Sequence, residues 1–217
     1  MNSKDIIIFT GPSINHKEAH RILEATYKPP VKRGDILKII NTHPKIIGII
    51  DGVFHQQPAV AHKEIMKALK EDIIVVGGAS MGALRASELD SLGMIGIGSI
   101  YQKYASGEIE SDDDVAVIFD PDTYEQLNES LVNIKYNLQK AQNKKIITKT
   151  EYREMISIAK ETYYPYRTYK KIFKNTTLSD ETIKDLNNFL DKCDDIKYND
   201  AVSVLEYIKN ITTQWEG

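Results

Sequence analysis

Short, nearly unbroken runs of Ile and Val recur along the first part of the chain, at Asp5 to Thr10, Lys45 to Ile50, Ile73 to Val76 and Asp114 to Phe119. Apolar at successive rather than alternate positions, such runs predict strands buried on both faces, as in a parallel sheet. Between them the apolar residues fall at helical spacing, over about His16 to Ala25, Pro58 to Lys70 and Met81 to Leu92, with Gly93 as a left-handed cap. A shorter helix fits Ile100 to Ser106 and stops at Gly107. Strand alternating with helix implies βαβ units.

Beyond residue 120 the pattern becomes helical throughout. Helices fit 121 to 143, 150 to 163 and 180 to 191, and Ala201, Val204, Leu205 and Ile208 repeat at helical spacing. Thr148 followed by Glu151 has the form of a capping box. The expectation is an α/β fold, a Rossmann-like parallel sheet with flanking helices over 1–120, followed by an all-helical C-terminal region over 121–217. Composition marks the same boundary. Every glycine except Gly217 lies between Gly11 and Gly107, every histidine lies at or before His62, and nine of the twelve tyrosines lie at or after Tyr124.

The charge balance, 28 basic against 31 acidic residues for a net −3, argues against general nucleic-acid binding. The apolar run Ile6 to Phe9 is far too short for a signal-peptide core or for the ~20 residues of a membrane span. One cysteine, Cys193, cannot form an intramolecular disulfide. A cytoplasmic protein without membrane attachment is expected.

Open parallel sheets bind ligands beyond the carboxyl ends of their strands. Three loops fall at that edge: Thr10-Gly11-Pro12-Ser13, Asp51-Gly52, and Gly77-Gly78-Ala79-Ser80-Met81-Gly82. They are expected to meet over a shared cleft faced by Ser13, Asp51 and Ser80. Gly78 to Gly82 also fits G-x-S-x-G between a strand and a helix, which makes Ser80 either a nucleophile or the cap of the helix beginning at Met81. A nucleophile needs a base and an orienting acid. The candidates are His62, with His55 as rival, and Asp51, whose alternative role is to close a turn with Gly52. Arg85 and Glu88, at i and i+3, form either an exposed ion pair or, through Arg85, a carboxylate or phosphate site.

Catalytic candidates are thus Ser80, His62 and Asp51. Binding candidates are Gly11, Pro12, Ser13, Gly52, His55, Gly78, Met81, Gly82, Arg85 and Glu88. His16 to His20 lacks the H-E-x-x-H order of a zinc protease, and no metal is expected. Neither G-x-G-x-x-G after an early strand nor a G-x-x-x-x-G-K-[ST] loop occurs, which disfavours the usual ATP and NAD enzymes. Tyr163 to Lys174 joins aromatics to four basic residues without an acid, as an amphipathic helix or a partner surface, for which a protein or peptide suits the overall charge better than nucleic acid.

These motifs together resemble the TfuA-like proteins. The likeness runs from Phe9-Thr10-Gly11-Pro12-Ser13 through Tyr27-Lys28-Pro29-Pro30-Val31, Ile50-Asp51-Gly52-Val53-Phe54, Pro58-Ala59-Val60 and His62-Lys63-Glu64-Ile65. It continues in Ser80-Met81-Gly82-Ala83-Leu84-Arg85-Ala86, Glu88-Leu89, Gly93-Met94 and Tyr104 to Gly107, and ends near Val115-Ala116-Val117, about the first 120 residues. Around the elbow the family pattern often carries a second serine, where this chain has only Ser80 after Ala79.

The resemblance implies an accessory protein for peptide backbone thioamidation by YcaO enzymes. It implies as partners a YcaO enzyme, a thiocarboxylated ThiS-like sulfur-carrier protein and, indirectly, the peptide substrate. ATP would belong to the YcaO partner, with no cofactor bound by this chain. On one reading Ser80 attacks the thiocarboxylate and expels sulfide, with backbone N–H groups near Met81 and Gly82 holding the oxyanion. On the other, the chain is a non-catalytic adaptor that presents the carrier. A persulfide on Cys193 fits less well, because that residue lies outside the sheet region.

Overall fold

The computed structural model describes residues 3–54 and 57–215. In chain order the first elements are β1 (Ile6–Phe9), α1 (His16–Ile22), β2 (Thr26–Lys28), α2 (Asp35–Ile40), β3 (Ile46–Ile49), α3 (His62–Lys70), β4 (Ile74–Gly78), α4 (Met81–Leu89), β5 (Ile95–Ile97) and α5 (Ser99–Ala105). The helices α6 (Leu131–Asn143), α7 (Lys149–Glu161), α8 (Tyr169–Lys174), α9 (Asp180–Leu190) and α10 (Ile196–Gln214) follow.

The strands form a five-stranded parallel sheet in the order β2-β1-β3-β4-β5. The chain is therefore a parallel sheet flanked by helices and followed by a helical region, as the hydrophobic pattern predicts. The central strands carry the unbroken Ile and Val runs because both of their faces are covered. Gly48 on β3 is part of that packing, since a Cβ there would lie 2.5 Å from Ile8 Cδ1 and 3.1 Å from Ile208 Cδ1.

Two compact units result: Met1–Asp112 with Lys197–Gly217, and Asp113–Ile196. The last helix thus belongs to the sheet-containing unit, whereas a boundary at residue 120 assigns it to the helical region. Ala201, Val204, Leu205 and Ile208, the apolar stripe of α10, join Ile6, Ile8, Ile46 and Val76 in one core cluster. Asp200 fixes the contact. Its buried carboxylate accepts from Ser99 N at 2.9 Å and Ile100 N at 2.7 Å, satisfying N–H groups at the start of α5. Gly98 makes room for it: its φ is 98°, and a Cβ would lie 2.4 Å from the Asp200 carboxyl carbon.

In the helical unit, Leu131, Ile134, Leu138, Met155, Ile172 and Leu186 share a core. The capping box at Thr148 and Glu151 is formed. The run Asp114 to Phe119 is not a strand. A short 3-10 turn at Asp112–Asp114 leads into it, and its one ladder contact is an isolated antiparallel bridge between Phe119 and Gln126. Val115, Ala116 and Val117 are buried, so the apolar run reports burial rather than strand pairing. The helix expected from 121 starts only at Leu131, where Ser130 caps it, because 120–128 is folded back by Tyr124 N donating to Asp120 O and Leu127 N donating to Ile118 O.

Candidate functional site

The first two loops at the carboxyl edge of the sheet are joined through one carboxylate. Asp51, directly beyond β3, is 2% exposed and accepts from Gly11 N at 2.9 Å, Ser13 N at 2.9 Å, Ser13 Oγ at 2.6 Å and Thr10 Oγ1 at 3.2 Å. Four donors fill the lone pairs of a buried carboxylate and shape the Thr10 to Ser13 turn around it. Gly52 follows because a Cβ there would lie 2.6 Å from Met81 Cγ and 3.1 Å from Val31 O.

The third loop is hydrogen-bonded to the second through backbone groups. Ser80 N donates to Gly78 O at 2.8 Å and to Ile50 O at 3.3 Å, and Gly82 N donates to Ile50 O at 3.3 Å. A Cβ on Gly82 would fall 1.7 Å from Ile49 O, and one on Gly77 would fall 2.3 Å from Gly82 O. These glycines let the start of α4 lie directly on the ends of β3 and β4. The left-handed residue of the turn is Ala79, with φ 64°, one place before the serine. Ser80 is 2% exposed and stands at the N-cap of α4, yet its side chain makes no cap hydrogen bond.

The remaining candidates gather farther along α4. Met81, Leu84, Arg85 and Glu88, at i, i+3, i+4 and i+7, line one side of a cleft of ≈ 300 Å³ with Phe54, Ala59, Glu110, Ser111 and Asp112. Arg85 is fixed there by Nε donating to Val60 O at 3.1 Å and Nη1 donating to Glu88 Oε2 at 2.5 Å. The same carboxylate oxygen lies 2.8 Å from His62 Nε2. Arg85 and Glu88 are thus the ion pair their spacing allows and, at the same time, part of the cleft wall.

No hydrogen bond joins Ser80 to His62 or Asp51 among the described residues. Asp51 serves the Thr10 to Ser13 turn, and His62 meets Glu88, which lies two helical turns, about 12 Å, along α4 from Ser80. The acid beside His62 is therefore Glu88 rather than Asp51. Nor is Gly82 N open to an oxyanion, since it already donates to Ile50. His55 lies outside the described residues. His16 meets Thr10 O and His20 meets Glu24. Phe54, Ala59, Leu84, Glu110, Ser111 and Asp112 line the cleft without being among the candidates drawn from the motifs. The i, i+3, i+4, i+7 face of α4 contains Leu84, but nothing local in the sequence signals the return of 110–112.

Residues 51–168 match the family model described as TfuA-like protein. The chain belongs to the TfuA-like family. The matched segment covers more than half of the chain and holds Asp51, His62, Ser80, Arg85 and Glu88, while the Gly11-Pro12-Ser13 turn precedes it. It also runs into the helical unit as far as Thr168, beyond the first 120 residues that carry the TfuA-like motifs. Comparison with curated proteins finds no match. In this TfuA-like chain the first two loops form one carboxylate-centred turn and α4 forms the wall of an adjoining, mixed-polarity cleft.

Proposed function

We propose that this TfuA-like protein is an accessory of YcaO-dependent peptide backbone thioamidation, binding the thiocarboxylated C-terminus of a sulfur-carrier protein and delivering its sulfur to the YcaO enzyme. The reading rests on Arg85. Its guanidinium lines the cleft with a side chain only 12% exposed, is oriented by Val60 and Glu88, and has no partner for Nη2 among the described residues. A thiocarboxylate is an anion that can accept charge-assisted hydrogen bonds from the N–H groups of this Nη2. Phe54, Met81 and Leu84 offer apolar walls for the chain leading to it. ATP belongs to the partner enzyme on this reading, and Cys193 carries no sulfur, since burial pushes its thiol pKa up and disfavours the reactive thiolate.

Reconstitution tests it. With YcaO enzyme, ATP, peptide and thiocarboxylated carrier, the peptide should gain sulfur in place of oxygen by mass spectrometry only when this protein is present, and Arg85→Ala should remove most of the gain. Equal yield without the protein would defeat the proposal.

One observation favours a hydrolytic version. The Ser80 hydroxyl, at a strand-to-helix turn, is not spent on capping α4. Attack by Ser80 Oγ on the thiocarboxylate carbon would form an ester and release sulfide as the C–S bond breaks, and water would then free the serine and leave a carboxylate. Delivery without hydrolysis is the better supported route, because the Gly82 N–H is occupied and His62 is engaged by Glu88. Sulfide formed from carrier in the absence of YcaO, and lost in Ser80→Ala, would reverse that preference.

A further inference from the structure

Within the helical unit, the segment between α7 and α8 presents aromatic side chains to solvent on a backbone that is locked from below. Tyr163 and Tyr166 are 63% and 64% exposed, with ring centroids 6.2 Å apart in an edge-to-face arrangement. Tyr164, between them, is buried and packs edge-on to Tyr163 at 5.1 Å. Arg167 supplies the lock. It is fully buried, with Nε donating to Ala159 O at 2.9 Å, Nη1 to Asp113 O at 3.1 Å and Nη2 to Asp113 Oδ2 at 2.6 Å and Thr162 O at 3.2 Å. Large apolar rings on an ordered turn bind with little loss of conformational freedom.

The charges on α8, beside these rings, have one sign. The exposed positions of α8 include Lys170, Lys171 and Lys174, while Ile172 and Phe173 point into the core. Lys171 Nζ sits 5.5 Å above the Tyr166 ring. None of the three lysines makes an ion pair among the described residues. Glu161, the nearest acid along the chain, accepts from Ser157, and Asp113 is held by Arg167.

From this we infer that the Tyr163, Tyr166 and α8 surface of the helical unit is a docking site for an acidic protein segment, built from residues other than those of the α4 cleft. The segment's carboxylates meet Lys170, Lys171, Lys174 and the tyrosine hydroxyls, and its apolar side chains lie on the rings. Exposed tyrosines are among the side chains enriched at protein interfaces, and the lysines beside them set the sign of the charge a partner must carry. A nucleic acid fits less well: the exposed cations of α8 are three lysines, the arginine of the segment is buried, and the whole chain is at net −3.

The test uses a fluorescently labelled peptide of alternating Glu and Phe and the full chain, read by anisotropy. Saturable binding is expected, weakened about tenfold or more by Tyr163→Ala with Tyr166→Ala and by Lys170→Glu, Lys171→Glu and Lys174→Glu together. Circular dichroism confirms that each variant is folded. Arg85→Ala should bind this peptide like wild type, which keeps the outcome distinct from that of the cleft. Unchanged affinity in the folded variants would overturn the inference. So would a single-stranded oligonucleotide that displaces the peptide at lower concentration than the unlabelled peptide does.

Discussion

The Ser13 hydroxyl donates to the Asp51 carboxylate at 2.6 Å, across 38 residues of chain. With the two backbone N–H groups of Gly11 and Ser13 on the same carboxylate, this bond makes the turn after β1 depend on a side chain from the end of β3. Asp51→Asn exchanges part of the acceptor set for an N–H₂ group that faces donors. A loss of about 2 kcal/mol is expected in urea unfolding, the range for hydrogen bonds to a buried charge. Ser13→Ala should cost less, about 1 kcal/mol, because the backbone donors remain.

The glycines separate two kinds of constraint. Gly82→Ala brings a Cβ 1.7 Å from the Ile49 carbonyl oxygen, so α4 must move off the sheet, and a loss of about 3 kcal/mol or more is expected. Gly34→Ala meets no atom within 4 Å but must hold φ at 87°, a conformational cost of about 1 kcal/mol. Melting both variants checks the order, and an equally mild Gly82→Ala would refute the close approach of helix and strand.

Much of this architecture is written in local pattern. The Ile and Val runs of β1, β3 and β4, the Gly93 cap at φ 105° and the Thr148 capping box follow from spacing alone. The two edge strands do not. Thr26-Tyr27-Lys28 and Ile95-Gly96-Ile97 are three residues long, only half-buried, and strands because β1 and β4 offer them partners. Val115 to Val117 reads as a strand for the converse reason: its burial is real, but Ile118 N is taken by the Asn128 side chain and no ladder forms. At the site, the proximity of the strand-end loops follows from the parallel topology. The meeting of His62 with Glu88 depends on how α3 and α4 pack, which no local motif encodes.

Asp200 gives a pH signature. Its burial raises the carboxyl pKa above the ordinary 3.8, with the Ser99 and Ile100 N–H groups opposing the rise. Between the unfolded and the raised folded value the native state binds more protons than the unfolded chain, so this group's contribution to stability is largest below pH ~4 and falls as pH increases through the folded pKa. Asp200→Asn removes that decline. Urea midpoints measured from pH 4 to 7 should show a smaller fall with pH in the variant than in wild type, and parallel curves would contradict it.

Arg167 holds the helical unit together through a pair with Asp113, in which the guanidinium is fully buried. Arg167→Ala strips Ala159 O, Thr162 O and Asp113 of their donors, and about 3 kcal/mol of destabilisation is expected. Arg167→Lys should recover little of this, because one ammonium cannot span the same acceptors. Thermal unfolding of both variants reads the difference.

The central proposal is that the α4 cleft grips a thiocarboxylate through Arg85, and isothermal titration of thiocarboxylated carrier protein into this chain tests it most directly. Saturable binding is expected, at least about tenfold weaker for Arg85→Ala and weaker for carrier lacking its C-terminal residues. Equal affinity for Arg85→Ala and wild type, or for intact and truncated carrier, would contradict it.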